Sequence, residues 1–224
     1  IDNNLTLQNV PAELMESALL ASTMVCDTDN LKKWISIAGI SPRINDSDFL
    51  ITLLISKALY SLRGMNNASF THIVDKCHST IASLLSLSTT SSLTRNKQLL
   101  DKLHILEDMK ELVSLKDERG YTTSNAVFKS RVANAGSDFE SSWLILTMRK
   151  NSEQLFDNSS IPEVLKTKNI SDIWLQRSKL ELEHNRLDLA SRSATQSYML
   201  SKNSEAEFQY AEILWSQGDF SKAL

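Results

Sequence analysis

Glycine and proline are scarce in this chain: 224 residues hold five of the first and three of the second, about 2% and 1% where ~7% and ~5% are usual. These residues punctuate hairpins and tight sheet turns, so their shortage argues against a β architecture and for a chain built of helices. Cysteine is nearly missing too. Cys26 and Cys77 are too few and too far apart for a disulfide framework or a zinc knuckle, and are expected to be buried thiols of an intracellular protein. The 24 Lys and Arg against 27 Asp and Glu leave a net charge of -3 with no basic run. A nucleic-acid or acidic-membrane footprint is therefore not expected. The longest apolar runs, such as 49–55, fall well short of the ~20 residues of a membrane span, and no signal peptide is visible. No two glycines lie within ten residues of each other, which excludes the clustered glycines of a phosphate-binding loop.

What the chain does have is helical periodicity. Pro11 opens 12–25, where Leu14, Ala18 and Ala21 recur at helical spacing. Asp29 is expected to cap 31–38, with Gly39 and Pro42 closing it, and Asp46, Ser47 or Asp48 to start the strongly apolar helix 49–62, ended by Gly64. The next helix, about 69–87, places Phe70, Ile73, Cys77 and Ile81 on one face, and 97–115 resumes the pattern with Leu99, Leu103, Leu106 and Val113. Between Lys116 and Ser137 the periodicity fades, which predicts a loop or insertion. Asp138 can then cap a helix carrying Phe139, Trp143, Leu146 and the stem of Lys150. The expected division is helical repeats over 1–115, a loop over 116–137 and helical repeats over 138–224.

Residues that carry chemistry elsewhere read here as structure. His72, His78, His104 and His184 are scattered, and Cys77 beside His78 cannot face one ion because neighbours on a helix point about 100° apart. Asp117 with Glu118, and Glu181 with Glu183, sit among polar residues and read as solvated faces with nothing to raise a pKa. Trp34, Trp143, Trp174 and Trp215 lie within apolar helical patterns and are expected in cores or between repeats. Gly218, Asp219 and Phe220 read as helix end, cap and first buried residue of the next helix. No catalytic, cofactor-binding or metal-binding residue is assigned within this chain.

The most specific signal is a self-similarity. Sliding 172–200 forward by 33 residues lays Ser178 on Ala211, Leu182 on Trp215, Asn185 on Gly218, Leu187 on Phe220 and Ala190 on Ala223. Small residues fall where two helices touch, a large apolar residue comes one turn on, and Asn or Gly ends the first helix in a left-handed cap. That period and pattern mark 172–224 as a tetratricopeptide-like pair, so the expected fold class of the chain is an all-α, tetratricopeptide-like solenoid of helical hairpins, with Trp215 filling the contact between the last two. The chain begins without Met and stops inside a repeat, so it is expected to be a piece of a longer polypeptide.

The stretch 172–180, with Ala190 and then 211–224, resembles the FAT domain of the phosphatidylinositol-3-kinase-related protein kinases. Within that family, 54–63, 138–140 and 146–149 are similar to the branch of the ataxia-telangiectasia mutated kinase and its fungal telomere-maintenance counterpart, while the replication-stress checkpoint kinase carries a very similar repeat pair. The resemblance implies a non-catalytic solenoid that clasps a serine/threonine kinase domain elsewhere in the polypeptide. It implies a parent directed at Ser/Thr-Gln sites, using ATP and Mg outside this segment, nuclear, homodimeric and active in double-strand-break checkpoint signalling, DNA repair and telomere maintenance. Implied partners are the kinase domain, other repeats of the same chain and protein regulators, with neither nucleic acid nor membrane touched by this segment. The rival reading is a free-standing helical-repeat adaptor for protein partners.

Overall fold

A computed structural model of the chain describes residues 11–64, 67–87, 93–115, 117–134, 138–156, 161–202 and 204–223. Among these residues every regular element is a helix: α1 (Ala12–Val25), α2 (Thr28–Ala38), α3 (Ser47–Ser61), α4 (Asn67–Leu87), α5 (Leu93–Ser114), α6 (Glu118–Asn134), α7 (Phe139–Leu155), α8 (Glu163–Glu183), α9 (Leu187–Ser201), α10 (Ser204–Ser216) and α11 (Phe220–Ala223), with short 3-10 turns at Pro42–Asn45 and Leu62–Gly64. The expected all-α class holds. The chain divides into two compact units, Ile1–Val113 with Leu155–Asp157, and Ser114–Gln154 with Asn158–Leu224.

In the first unit α3 is the central helix. Its Leu- and Ile-rich sequence buries Phe49, Ile51, Leu53, Leu54, Ile55, Ala58 and Leu59 around most of its circumference, so it packs against α1, α2 and α4. Asp46 starts it by accepting from the backbone N–H of Asp48 at 3.1 Å, relieving one of the unpaired donors of the first turn. The cap of α2 is Asp27, not Asp29: its carboxylate accepts from Asn30 N at 3.1 Å, and this bond holds its pKa below the ordinary value. Asp29 lies inside the first turn instead. α1 and α3 are pinned by a buried hydroxyl pair, Thr23 Oγ1 to Ser56 Oγ at 2.8 Å. On α4, Phe70, Val74, Cys77 and Ile81 are buried, and burial pushes the Cys77 thiol up to about 12, opposed weakly by Lys102.

In the second unit the expected loop over 116–137 is corrected: 118–134 is the helix α6. Among its described residues the buried stripe is Tyr121, Ser124 and Phe128, spaced at three and four residues. Two of its anchoring contacts are polar, so no run of aliphatic residues announces it. α8 and α9 form a close antiparallel hairpin through small residues. Ser178 Oγ donates to Ala190 O at 2.9 Å, and Ser171 Oγ donates to Ser197 O at 2.8 Å while Ser197 Oγ donates back to Ser171 O at 2.9 Å. Ile213 of α10 packs on Ala190 and Ala194 of α9, with Leu182 closing the cluster.

The 33-residue repeat is present in the backbone itself. α8 ends with Asn185 at φ 57 and α10 with Gly218 at φ 82. Around Asn185 the bonds are His184 N to Leu180 O, Asn185 N to Leu182 O and Arg186 N to Glu181 O. Around Gly218 they are Gln217 N to Ile213 O, Gly218 N to Trp215 O and Asp219 N to Leu214 O, each shifted by 33 residues. Both ends are the six-to-one closure that a left-handed residue allows.

The expected role of Trp215 is overturned. It is 57% exposed, and its ring meets that of Phe220, itself 50% exposed, in an edge-on arrangement at a centroid distance of 4.7 Å. Phe220 is likewise not the buried first residue expected of it. Ile213 makes the contact with α9 instead, and it shares its buried side of α10 with Ala206 and Gln209, about 120° to 180° around the helix from Trp215.

Candidate functional site: two buried carboxylates that join helices

The side chains with most chemistry in the second unit lie inside it. Glu181, expected on a solvated face, has no exposed surface. Its Oε1 accepts from Trp143 Nε1 of α7 at 2.9 Å and from Arg177 Nη2 at 3.1 Å, and its Oε2 accepts from Ser193 Oγ of α9 at 2.6 Å. Three helices meet on one carboxylate. Arg177 sits between two indoles, with its guanidinium carbon 4.7 Å from the ring centroids of both Trp143 and Trp174. Burial lowers the pKa of Arg177 and Glu181 opposes that shift; an arginine starts so high that it stays charged. Lys150 approaches Trp174 at 4.8 Å, its stem buried as the sequence implies.

Glu153 is a second node of the same design. Its Oε1 accepts from Arg149 Nη2 at 2.9 Å and from Asn169 Nδ2 of α8 at 2.8 Å, and its Oε2 from the Tyr121 hydroxyl of α6 at 2.8 Å. Arg149 also donates to Asn125 Oδ1 at 3.0 Å and lies 5.0 Å from the Phe128 centroid. Burial raises the Glu153 pKa above its ordinary value, with Arg149 the main opposing influence. Burial, and then the charge of Glu153, pushes the Tyr121 hydroxyl above the usual phenol range.

A buried ion pair gains little net stability because desolvation offsets attraction, but losing one partner strands the other. With each carboxylate accepting three bonds, the arrangement fixes which helices meet and in what register. Sequence reading missed both nodes. The available signal was a pair of Arg-x-x-x-Glu spacings, Arg149 to Glu153 and Arg177 to Glu181, 28 residues apart with a Trp near each.

The remaining singled-out residues are not brought together. His78 Nε2 lies 3.2 Å from Glu107 next to the buried Cys77, and the His184 ring lies 5.1 Å from that of Phe139. Among the described residues, no three His, Cys, Asp or Glu side chains are grouped to hold a metal ion. No described helix is long and apolar enough to cross a membrane.

Comparison with known proteins gives this architecture a family. The sequence profile of the FAT domain matches residues 30–224. The chain is 28% identical over 213 residues to the serine/threonine-protein kinase MEC1 of Kluyveromyces lactis, covering 95% of this chain and 9% of that protein. It is 28% identical over 218 residues to MEC1 of Candida albicans, covering 97% and 9%, and 30% identical over 196 residues to MEC1 of Eremothecium gossypii, covering 87% and 8%. The chain thus spans less than a tenth of the length of these relatives. Their shared name directs the branch reading to the MEC1 group, while the family read from 172–224 stands. On the match over 30–224, and on the capped hairpins that occupy its C-terminal part, the chain belongs to the FAT domain family, in the form found in MEC1-like kinases of the phosphatidylinositol-3-kinase-related group.

Proposed function

We propose that this chain is a mechanical and regulatory helical segment of a MEC1-like serine/threonine kinase, supporting the kinase domain without contributing to its chemistry. The observation that carries the reading is the FAT match over 30–224 in a chain whose buried charges are spent on joining helices. Helical repeats held in one register transmit a displacement because packed interfaces move as units. In this reading ATP and Mg bind the kinase domain elsewhere in the parent, which is a nuclear homodimer that phosphorylates Ser/Thr-Gln sites. Its signalling would serve the double-strand-break checkpoint, DNA repair and telomere maintenance. The segment's own partners are the kinase domain, neighbouring repeats and protein regulators.

The test is made in the full-length parent. Glu181→Ala should lower kcat for a peptide substrate while leaving KM for ATP within about twofold, the signature of altered support and not of lost nucleotide contacts. A parent with unchanged kcat, although α8 and α9 are demonstrably loosened in hydrogen exchange, would count against the support role and favour a peptide-binding adaptor.

A further inference from the structure

A groove in the first unit is bounded by α2, α3 and α4 and lined by Ile35, Lys57, Tyr60, Arg63, Ser69 and Ile73, with about 500 Å³ of space. That size suits one bulky side chain and its flanking backbone. The stretch 54–63 builds it with one side only: Leu54, Ile55, Ala58, Leu59 and Leu62 face the core, while Lys57, Tyr60 and Arg63 recur at three-residue steps along the groove. The core therefore does not account for the second set.

The two cations of this groove, Lys57 and Arg63, make no ion pair among the described residues. Arg43, Arg95, Arg149 and Arg177 each lie on a carboxylate. Arg63 donates to the Thr28 hydroxyl at 2.8 Å instead, and Lys57, at the C-terminal end of α2 beside Gly39, has neither an ion pair nor a hydrogen bond among the described residues. Among those residues, too, no carboxylate lines the groove. Two cations thus flank an apolar floor of Ile35, Ile73 and the Tyr60 ring in a chain of net charge -3.

We propose that this groove docks an acidic–apolar peptide segment of a partner protein. A Leu, Ile, Met or Phe side chain sits on Ile35 and Ile73, and adjoining Asp or Glu carboxylates reach Lys57 and Arg63. Apolar contact supplies the anchor, and the cations set register and exclude basic competitors.

Randomised peptides displayed on phage are selected against the 224-residue chain, and those enriched are measured by fluorescence anisotropy. The expected peptides carry Asp or Glu close to a bulky apolar residue. Their affinity should fall by roughly tenfold or more in Lys57→Glu and Arg63→Glu. Lys57→Ala, which removes no hydrogen bond or ion pair, keeps the proposal testable if the charge reversals disturb folding; circular dichroism and Tm report that directly, and a loss of about threefold is expected. Enriched peptides without acidic residues, affinities unchanged in Lys57→Ala, or a selection that enriches nothing would each overturn the proposal. So would binding of inorganic phosphate or phosphatidylserine vesicles that Lys57→Glu abolishes while no peptide binds.

Discussion

The indole N–H of Trp143 donates to the carboxylate of Glu181 at 2.9 Å across 38 residues of sequence. That bond ties α7 to a buried charge of α8 that Arg177 and Ser193 also hold. Glu181→Ala strands the Arg177 guanidinium between its two indoles, so a cost of about 3–5 kcal/mol in denaturant unfolding is expected. Trp143→Phe keeps most of the ring and removes one donor, costing about 1–2 kcal/mol. Arg177→Met combined with Glu181→Met should cost clearly less than the two single changes summed, because neither charge is then left alone. Additive losses would show that the pair does not act as one.

Glu153 predicts a pH dependence with a definite sign. Burial raises its folded pKa above the ordinary 4.5, so the native state holds the proton more readily than the unfolded chain. Its contribution is complete below about pH 4.5 and is lost as pH rises through the folded value. The stability difference between the native sequence and Glu153→Gln should therefore fall with rising pH above that point, by at most about 1.4 kcal/mol per pH unit. A difference that grows with pH would place the Arg149 attraction above desolvation.

The two turns of the repeat separate conformation from packing. Gly218 has φ 82 and open space where a Cβ would stand, so Gly218→Ala should cost about 1 kcal/mol through backbone strain alone. Asn185→Gly, at φ 57, should change stability by no more than about 0.5 kcal/mol. Thermal unfolding of both variants measures the contrast.

Trp215→Ala should cost about 1 kcal/mol or less, since the ring is more than half exposed, whereas Ile213→Ala, with no exposed surface, should cost about 2–5 kcal/mol. Equal costs would mean that α10 is rotated from the orientation described.

Thiol labelling should distinguish the cysteines. Cys77 is fully buried, with its pKa pushed to about 12, so at pH 8 its thiolate fraction is roughly a thousandfold below that of a free thiol. One equivalent of Ellman's reagent should react promptly at the half-buried Cys26, and the second only as the chain opens. Two equal fast phases would contradict the burial of α4's inner face.

Most helices were legible because a 3.6-residue apolar rhythm is local: Phe70, Cys77 and Ile81 declare α4 without reference to the rest of the chain. The turns at Asn185 and Gly218 were legible because few residues tolerate a left-handed backbone. The helix α6 was not, since Tyr121 gains its place through Glu153, 32 residues later. Glu181 read as solvated for the same reason: its partners Trp143 and Ser193 come from other helices, and no local pattern marks a carboxylate whose burial depends on donors elsewhere. Trp215 shows the converse limit. Its pattern fits a helix face, but periodicity does not say which apolar face is covered.

The matching bonds at Asn185 and Gly218 make the two turns interchangeable splice points. Removing residues 186–218 would join Asn185 directly to Asp219, placing the start of α11 where α9 now begins with its helical phase intact. Removing one residue more or fewer would rotate the next helix by about 100° and turn its inner face outward. Length changes by whole multiples of the repeat therefore keep the phase of the helix that follows, while the side chains lost with α9, Ser193 on Glu181 and Ser197 on Ser171, would have to be supplied again by the helix that takes its place.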